Sequence, residues 1–260
     1  MPRHLLTFPC AGATLTATLD LPAGPPPTTG LLIVSGGNEI RAGAWGGQAR
    51  LAAALAAQGH AAFRFDRRGI GDSEGTNTGF RHSAPDIAAA LTAFRAAVPS
   101  LTRIAAHGNC DAATALLLAS GAGADALILS NPGPHEEDTA APTVAALRAH
   151  YRKRLLSWPA LRRLLTGQIP LRALAQSLLS LAKPAPPPAP RIAQMTQALA
   201  HFPGPARILL ATNDATAQAF LSVWPPADPR LTHCPGATHS FVEPEAQAWF
   251  ERQVLEMLEK

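Results

Sequence analysis

The apolar positions of this 260-residue chain fall into two alternating rhythms. Short unbroken apolar runs read as buried strands, and stretches with apolar residues three or four apart read as helices. Residues 4–8 and 13–20 alternate apolar and Thr-rich positions around Pro9 and Gly12, which predicts an antiparallel pair. Residues 30–35 predict a strand ending in Gly36-Gly37, and 44–58 a helix that Gly59 stops. A strand at 61–66 follows, then a helix over Ala84–Ala97 entered through Pro85 and Asp86. A strand runs up to Cys110, a helix leaves it, and Ala126–Ser130 is the sixth strand. Beyond residue 203 the rhythm resumes with a strand at 207–211, a helix at 215–223, a short strand at 230–234 and an amphipathic helix over Pro244–Leu258. Strands alternating with helices imply a mostly parallel central sheet with helices on both faces.

Residues 134–203 break this pattern. Helical periodicity at 140–158, 160–167 and 170–182 leads into the proline-rich run 183–190, a stiff connector. The expected organisation is a core of residues 1–133 and 204–260 carrying an inserted helical lid at 134–203.

Composition narrows the class. Charged residues are 15% and apolar residues 47%, enough for a sizeable core and against disorder. Cys10, Cys110 and Cys234 are too far apart for a metal motif and odd in number, so a reducing, cytoplasmic setting is expected, with no metal and no cofactor. No signal peptide is visible, and no run of about 18 apolar residues lacks charge or proline. The net charge of +4 is uneven. Nine of the 22 Lys and Arg lie between Thr139 and Ala200, where there is no Asp or Glu. A basic lid with a Leu/Trp face suggests an anionic membrane surface or an acyl-carrier protein as partner, and hence a membrane-peripheral location. The plainer alternative is an amphipathic cover over an apolar acyl pocket. Nucleic acid is not expected, because no stacking aromatics accompany the charges.

The chemistry centres on Cys110. An apolar run, then Gly108-Asn109-Cys110-Asp111-Ala112, then good helix formers read as strand, sharp turn, helix. This is the setting of a nucleophile elbow, with cysteine where serine is usual. Small residues two positions either side let the strained turn pack, and the helix N-terminus favours negative charge. A buried structural cysteine is the competing reading. A cysteine nucleophile needs a base and an orienting acid, which in this arrangement follow the nucleophile along the chain, the acid before the histidine. Asp214 follows the strand at 207–211 and His239 the strand at 230–234, both at strand C-terminal ends. Asp214 alone would read as a helix cap and His239 as a loop histidine. An oxyanion hole would use the N–H of Asp111 and that of Gly37 in the Gly36-Gly37-Asn38 turn. The loop Asp66–Gly75 lacks a phosphate-loop ending and reads as a structural loop fixed by charge-assisted hydrogen bonds. His107 reads as a buried strand residue, while His82 and His135 carry no argument for a role.

Val34-Ser35-Gly36-Gly37, Phe65-Asp66-x-Arg68-Gly69-x-Gly71-Asp72-Ser73-Glu74-Gly75, Gly108-Asn109-Cys110-Asp111-Ala112-Ala113, Ser130-Asn131-Pro132 and Asn213-Asp214-x-Thr216-Ala217-Gln218 together resemble exosortase A system-associated hydrolase 1. That is an α/β-hydrolase family tied to bacterial exopolysaccharide and protein-sorting loci. The resemblance implies an α/β-hydrolase fold, with Cys110, Asp214 and His239 in the nucleophile, acid and base positions. The expected activity is cleavage of an ester or thioester of a small acyl substrate through an acyl-enzyme. Acyl transfer by the same acyl-enzyme and a non-catalytic binding protein keeping the fold remain as rivals.

Overall fold

The computed structural model describes residues 2–134 and 190–259. An eight-stranded sheet organises them, in the order β1-β2-β4-β3-β5-β6-β7-β8. The strands are β1 (Arg3–Cys10), β2 (Ala13–Asp20), β3 (Thr29–Val34), β4 (Ala61–Phe65), β5 (Arg103–Asn109), β6 (Ala126–Ser130), β7 (Ala206–Ala211) and β8 (Leu231–Cys234). β1 pairs with β2, and β2 with β4, antiparallel. Every other pairing is parallel. β4 and β6 are buried along their whole length, because helices cover both faces of a parallel sheet.

The helices are α1 (Gly47–Ala57), α2 (Ala84–Ala97), α3 (Asp111–Leu118), α4 (Pro190–His201), α5 (Ala215–Leu221) and α6 (Pro244–Leu258). Two cores result. On one face Ala52 and Leu55 of α1 and Val254, Met257 and Leu258 of α6 pack on Leu31, Ile33, Ala105 and Ile128. On the other, α2, α3, α4 and α5 bury Phe94, Leu116, Met195 and Phe220 against Leu32, Phe63, Ala106 and Leu129. Phe63 and Phe94 stack at 5.2 Å. Burying such a ring stabilises by about 2–3 kcal/mol, and deleting it costs about 3–5 kcal/mol.

The alternating and unbroken runs therefore form the expected elements, with three differences. β1 continues through Pro9, which pairs with Thr14. An edge strand tolerates proline, because its missing N–H would face outward. The helix expected from residue 44 begins as α only at Gly47, because Trp45 (φ 49°) and Gly46 (φ 73°) are left-handed and confine residues 44–46 to a 3₁₀ turn. Third, α4 belongs to the core: Ile192, Met195 and Leu199 are buried in the larger cluster. The expected lid helices between 140 and 182 and the basic surface they would carry toward a membrane or an acyl-carrier protein lie outside the described residues. Among the described residues, no helix is long and apolar enough to cross a membrane.

The loop after β4 is fixed by charge. Asp66, fully buried, accepts from the Arg41 backbone N–H at 2.5 Å, from the Arg41 guanidinium and from the Asp72 N–H at 3.1 Å. Arg68 Nε meets Asp86 at 2.5 Å.

Candidate active site

β5 ends at Asn109 and α3 starts at Asp111, so Cys110 must turn the chain within one residue. It does so at φ 55° and ψ −118°, a conformation that costs an L-residue of order 1–3 kcal/mol. The turn is held on both sides: the Cys110 N–H donates to the Ser130 carbonyl at 2.9 Å, and the Thr114 N–H donates to the Cys110 carbonyl at 3.1 Å. Glycine at 108 is required. A Cβ there would lie 2.5 Å from the Ala112 carbonyl carbon and 2.7 Å from the Ala113 nitrogen. Neither can move without shifting α3. Gly108→Ala is accordingly expected to destabilise the fold by about 3 kcal/mol, read as a lowered urea midpoint with an unchanged slope. A midpoint within error of the parent protein would contradict this packing.

Asp214 and His239 come from separate loops. Asp214, 7% exposed, stands at the N-cap of α5, where Oδ1 accepts from the Thr216 N–H at 3.2 Å and Oδ2 from the Ala217 N–H at 3.0 Å. The same Oδ2 lies 2.9 Å from His239 Nδ1. Asp214 therefore caps α5 and also contacts the His239 ring. The His239 loop is anchored by Phe241, buried at φ 50° and stacked on Phe250 at 5.1 Å.

The Asp214 hydrogen bond, with a further one to Cys110, pushes His239 up to about 10, against the opposing effect of burial. The direction favours the doubly protonated ring beside the Asp214 carboxyl group. A histidine whose folded pKa lies above its unfolded value near 6.5 stabilises the fold fully below that value. The contribution fades as pH rises from about 6.5 to about 10. The stability difference between the parent protein and His239→Ala should thus shrink across that window in urea titrations. A difference that stays flat or grows would rule the pairing out.

Gly36 and Gly37 follow β3 directly. A Cβ on Gly36 would lie 2.9 Å from the Asn109 carbonyl oxygen and 3.5 Å from the Ala112 nitrogen, so this turn rests on the elbow. The same position on Gly36 lies 3.8 Å from the Asp111 nitrogen that begins α3, and Gly37 follows, left-handed at φ 50°. The Asp111 carboxylate lies 3.9 Å from the Cys110 sulfur.

A clamp not foreseen from the sequence holds the histidine loop. Asn109 Nδ2 and Asn131 Nδ2 both donate to the His239 carbonyl, at 3.2 and 3.0 Å. Asn131 also donates to Asn109 Oδ1 at 3.1 Å and accepts from the Ala211 N–H at 2.8 Å. Asparagines ending adjacent strands were the available signal. His107 is buried in β5, donating Nδ1–H to the Ile128 carbonyl at 3.1 Å, and burial pushes it down to about 4. A cavity of about 320 Å³ opens behind Asn109 between α1 and α6, lined by Trp45, Gln48, His107 and Phe250 but not by Cys110. Among the described residues, no three His, Cys, Asp or Glu side chains gather to hold a metal. His82, exposed, accounts for its ring through the Thr78 carbonyl at 2.9 Å, and His135 lies outside the described residues.

Solved structures share this fold. Est1E from Butyrivibrio proteoclasticus, solved with ferulic acid bound, superposes with a TM-score of 0.63 at 17% identity, covering 98% of this chain and 100% of that one. A Pyrococcus furiosus esterase gives 0.64 at 13% identity, with 99% and 91% covered. A serine hydrolase without a lid from Xanthomonas campestris gives 0.60 at 16%, with 100% and 98% covered. At these identities the likeness is one of fold. No curated protein matches by sequence. The model of the alpha/beta hydrolase family, however, matches residues 31–253, and the chain belongs to that family.

Proposed function

We propose that the protein is an esterase or thioesterase that works through a Cys110–His239–Asp214 triad and an acyl-enzyme. The observation that carries this reading is the strained Cys110 turn facing an imidazole whose other nitrogen sits 2.9 Å from Asp214. The chain order and the strand-end placement support it independently. One neighbour of the same fold is described as a serine hydrolase; here the residue at the elbow is a cysteine.

The steps follow from the geometry. His239 Nε2 holds the proton given up by Cys110, and Asp214 stabilises the imidazolium and orients its ring. The sulfur attacks the acyl carbonyl carbon, and the C=O electron pair becomes an oxyanion held by the N–H groups of Gly37 and Asp111. Collapse re-forms the carbonyl and breaks the bond to the leaving group, which takes the His239 proton. His239, now neutral, removes a proton from water as that water attacks the thioester. The second collapse releases the acid and returns the thiolate–imidazolium pair. Esters and thioesters suit this cycle better than amides, whose amine leaves poorly from a thiolate adduct. The Gly-x-Cys-Asp-Ala element supports a likeness to exosortase A system-associated hydrolases within the family.

Incubation with an activated aryl ester tests the reading by intact-protein and peptide mass spectrometry. An acyl adduct on the Cys110 peptide, with release of the aryl alcohol, is expected. Neither adduct nor turnover across short and medium acyl chains would favour a binding protein. Product made preferentially from an added alcohol acceptor would favour acyl transfer.

A further inference from the structure

Arg67 follows Asp66 in the loop after β4, and it is a cation where burial is expensive. It is 4% exposed, and burial pushes its guanidinium down from the ordinary arginine value. Its Nε is buried without a hydrogen-bond partner. Asp86, the carboxylate with most influence on it, is already engaged by the Arg68 side chain at 2.5 Å and backbone N–H at 3.0 Å. A buried guanidinium with an orphaned donor is retained at a cost, and so calls for a purpose. Its Nη2 donates to the carbonyl of Gly37.

That carbonyl is the point at which the oxyanion turn is otherwise least held. Gly36 is pressed on the elbow and accepts from the Glu39 N–H at 3.0 Å. Asn38 is tied through Asn77 Nδ2 at 2.9 Å. Ile40 accepts from Ser35 Oγ at 3.3 Å, and the Arg41 N–H reaches Asp66 at 2.5 Å. Between these anchors Gly37 has no side chain, has open space within 4 Å of where a Cβ would sit, and lies at φ 50°. Glycine crosses between left- and right-handed backbone at little cost, so its peptide plane is free to rotate unless something fixes it. A charge-assisted bond to its carbonyl does that.

We propose that Arg67 is a positioning residue: it clamps the Gly37 carbonyl away from the reaction centre and so keeps the oxyanion turn preformed. This rests on the acyl-enzyme reading above. Arginine suits the task because its planar fork reaches the carbonyl while its apolar stem packs, and because it keeps its charge when buried.

Arg67→Met keeps the stem and removes the donor. For an aryl ester, kcat should fall about 10- to 100-fold with KM changed less than about threefold, since the loss falls on charge that develops in the transition state. Arg67→Lys should recover part of that loss. The rate of Cys110 alkylation by iodoacetamide, which needs no oxyanion hole, should stay within about twofold. Backbone amide exchange over residues 36–39 should accelerate in Arg67→Met. Retention of kcat, or kcat and alkylation falling together, would overturn the proposal. If Arg67→Met does not fold, Arg67→Lys alone decides it by the same split between kcat and alkylation. If the parent protein proves to have no esterase activity, the amide-exchange comparison still decides whether Arg67 fixes the turn, while the acyl-enzyme reading fails separately.

Discussion

Cys110→Ala is expected to lower ester turnover by about 10⁴-fold or more, because removing the nucleophile leaves only the residual effect of the oxyanion site and of binding. Iodoacetamide should modify Cys110 and spare the other two thiols. Cys10 and Cys234 are both buried, and both are pushed up, first by burial and then by a nearby carboxylate, Asp86 and Glu243 respectively. The substitution should also report on strain. Alanine keeps a Cβ in the φ 55° turn, whereas glycine does not. Cys110→Gly should therefore be more stable than Cys110→Ala by about 1 kcal/mol, the strain relieved less the entropy that glycine costs. Equal labelling of the three cysteines with activity retained in Cys110→Ala would remove Cys110 from the mechanism. A glycine variant less stable than the alanine variant would remove the strain argument while leaving the chemistry standing.

The parts of this site that could be read from the chain are those written in local sequence. The elbow is local: Gly108 and Ala112 are small because the turn at Cys110 brings β5 onto α3, and both lie within two residues of it. Asp214 and His239 are legible for a related reason. Each follows a strand, β7 and β8 respectively, and parallel strands bring their C-terminal ends to one edge. The Asn109–Asn131 clamp is different. It depends on β5 and β6 being neighbours, on the left-handed φ of 43° at Asn131, and on the His239 loop folding back over both. No spacing encodes that. The Gly37–Arg67 bond is likewise non-local: 30 residues separate donor from acceptor, and the loop after β4 reads as charged whether or not any charge faces the site. The start of α1 was hidden because Ala44, Trp45 and Gly46 carry no local signal for a left-handed pair. Pro9 argued for a break that an edge strand does not need.

Asp214 permits two roles to be separated, because one carboxylate serves two structural tasks through distinguishable bonds. It caps α5 through the Thr216 and Ala217 N–H groups, and it holds His239 Nδ1. Asn at this position keeps a side-chain oxygen for the cap but has no negative charge for the imidazolium. Asp214→Asn should thus keep the cap, lose at neutral pH the stability that the charged His239 pairing contributes, and lower kcat by about 10²- to 10⁴-fold. Asp214→Ala should lose activity to a similar extent and about 1 kcal/mol of stability in addition, the usual cost of a missing N-cap. The pH dependence provides a second axis. The Asp214 hydrogen bond is the largest of the influences that push His239 up, so in Asp214→Asn the histidine should titrate lower, and its imidazole NMR signals should move at a lower pH than in the parent protein. Full activity in Asp214→Asn would reduce Asp214 to a helix cap. An unshifted histidine signal would mean that the 2.9 Å contact does not control the charge on the ring.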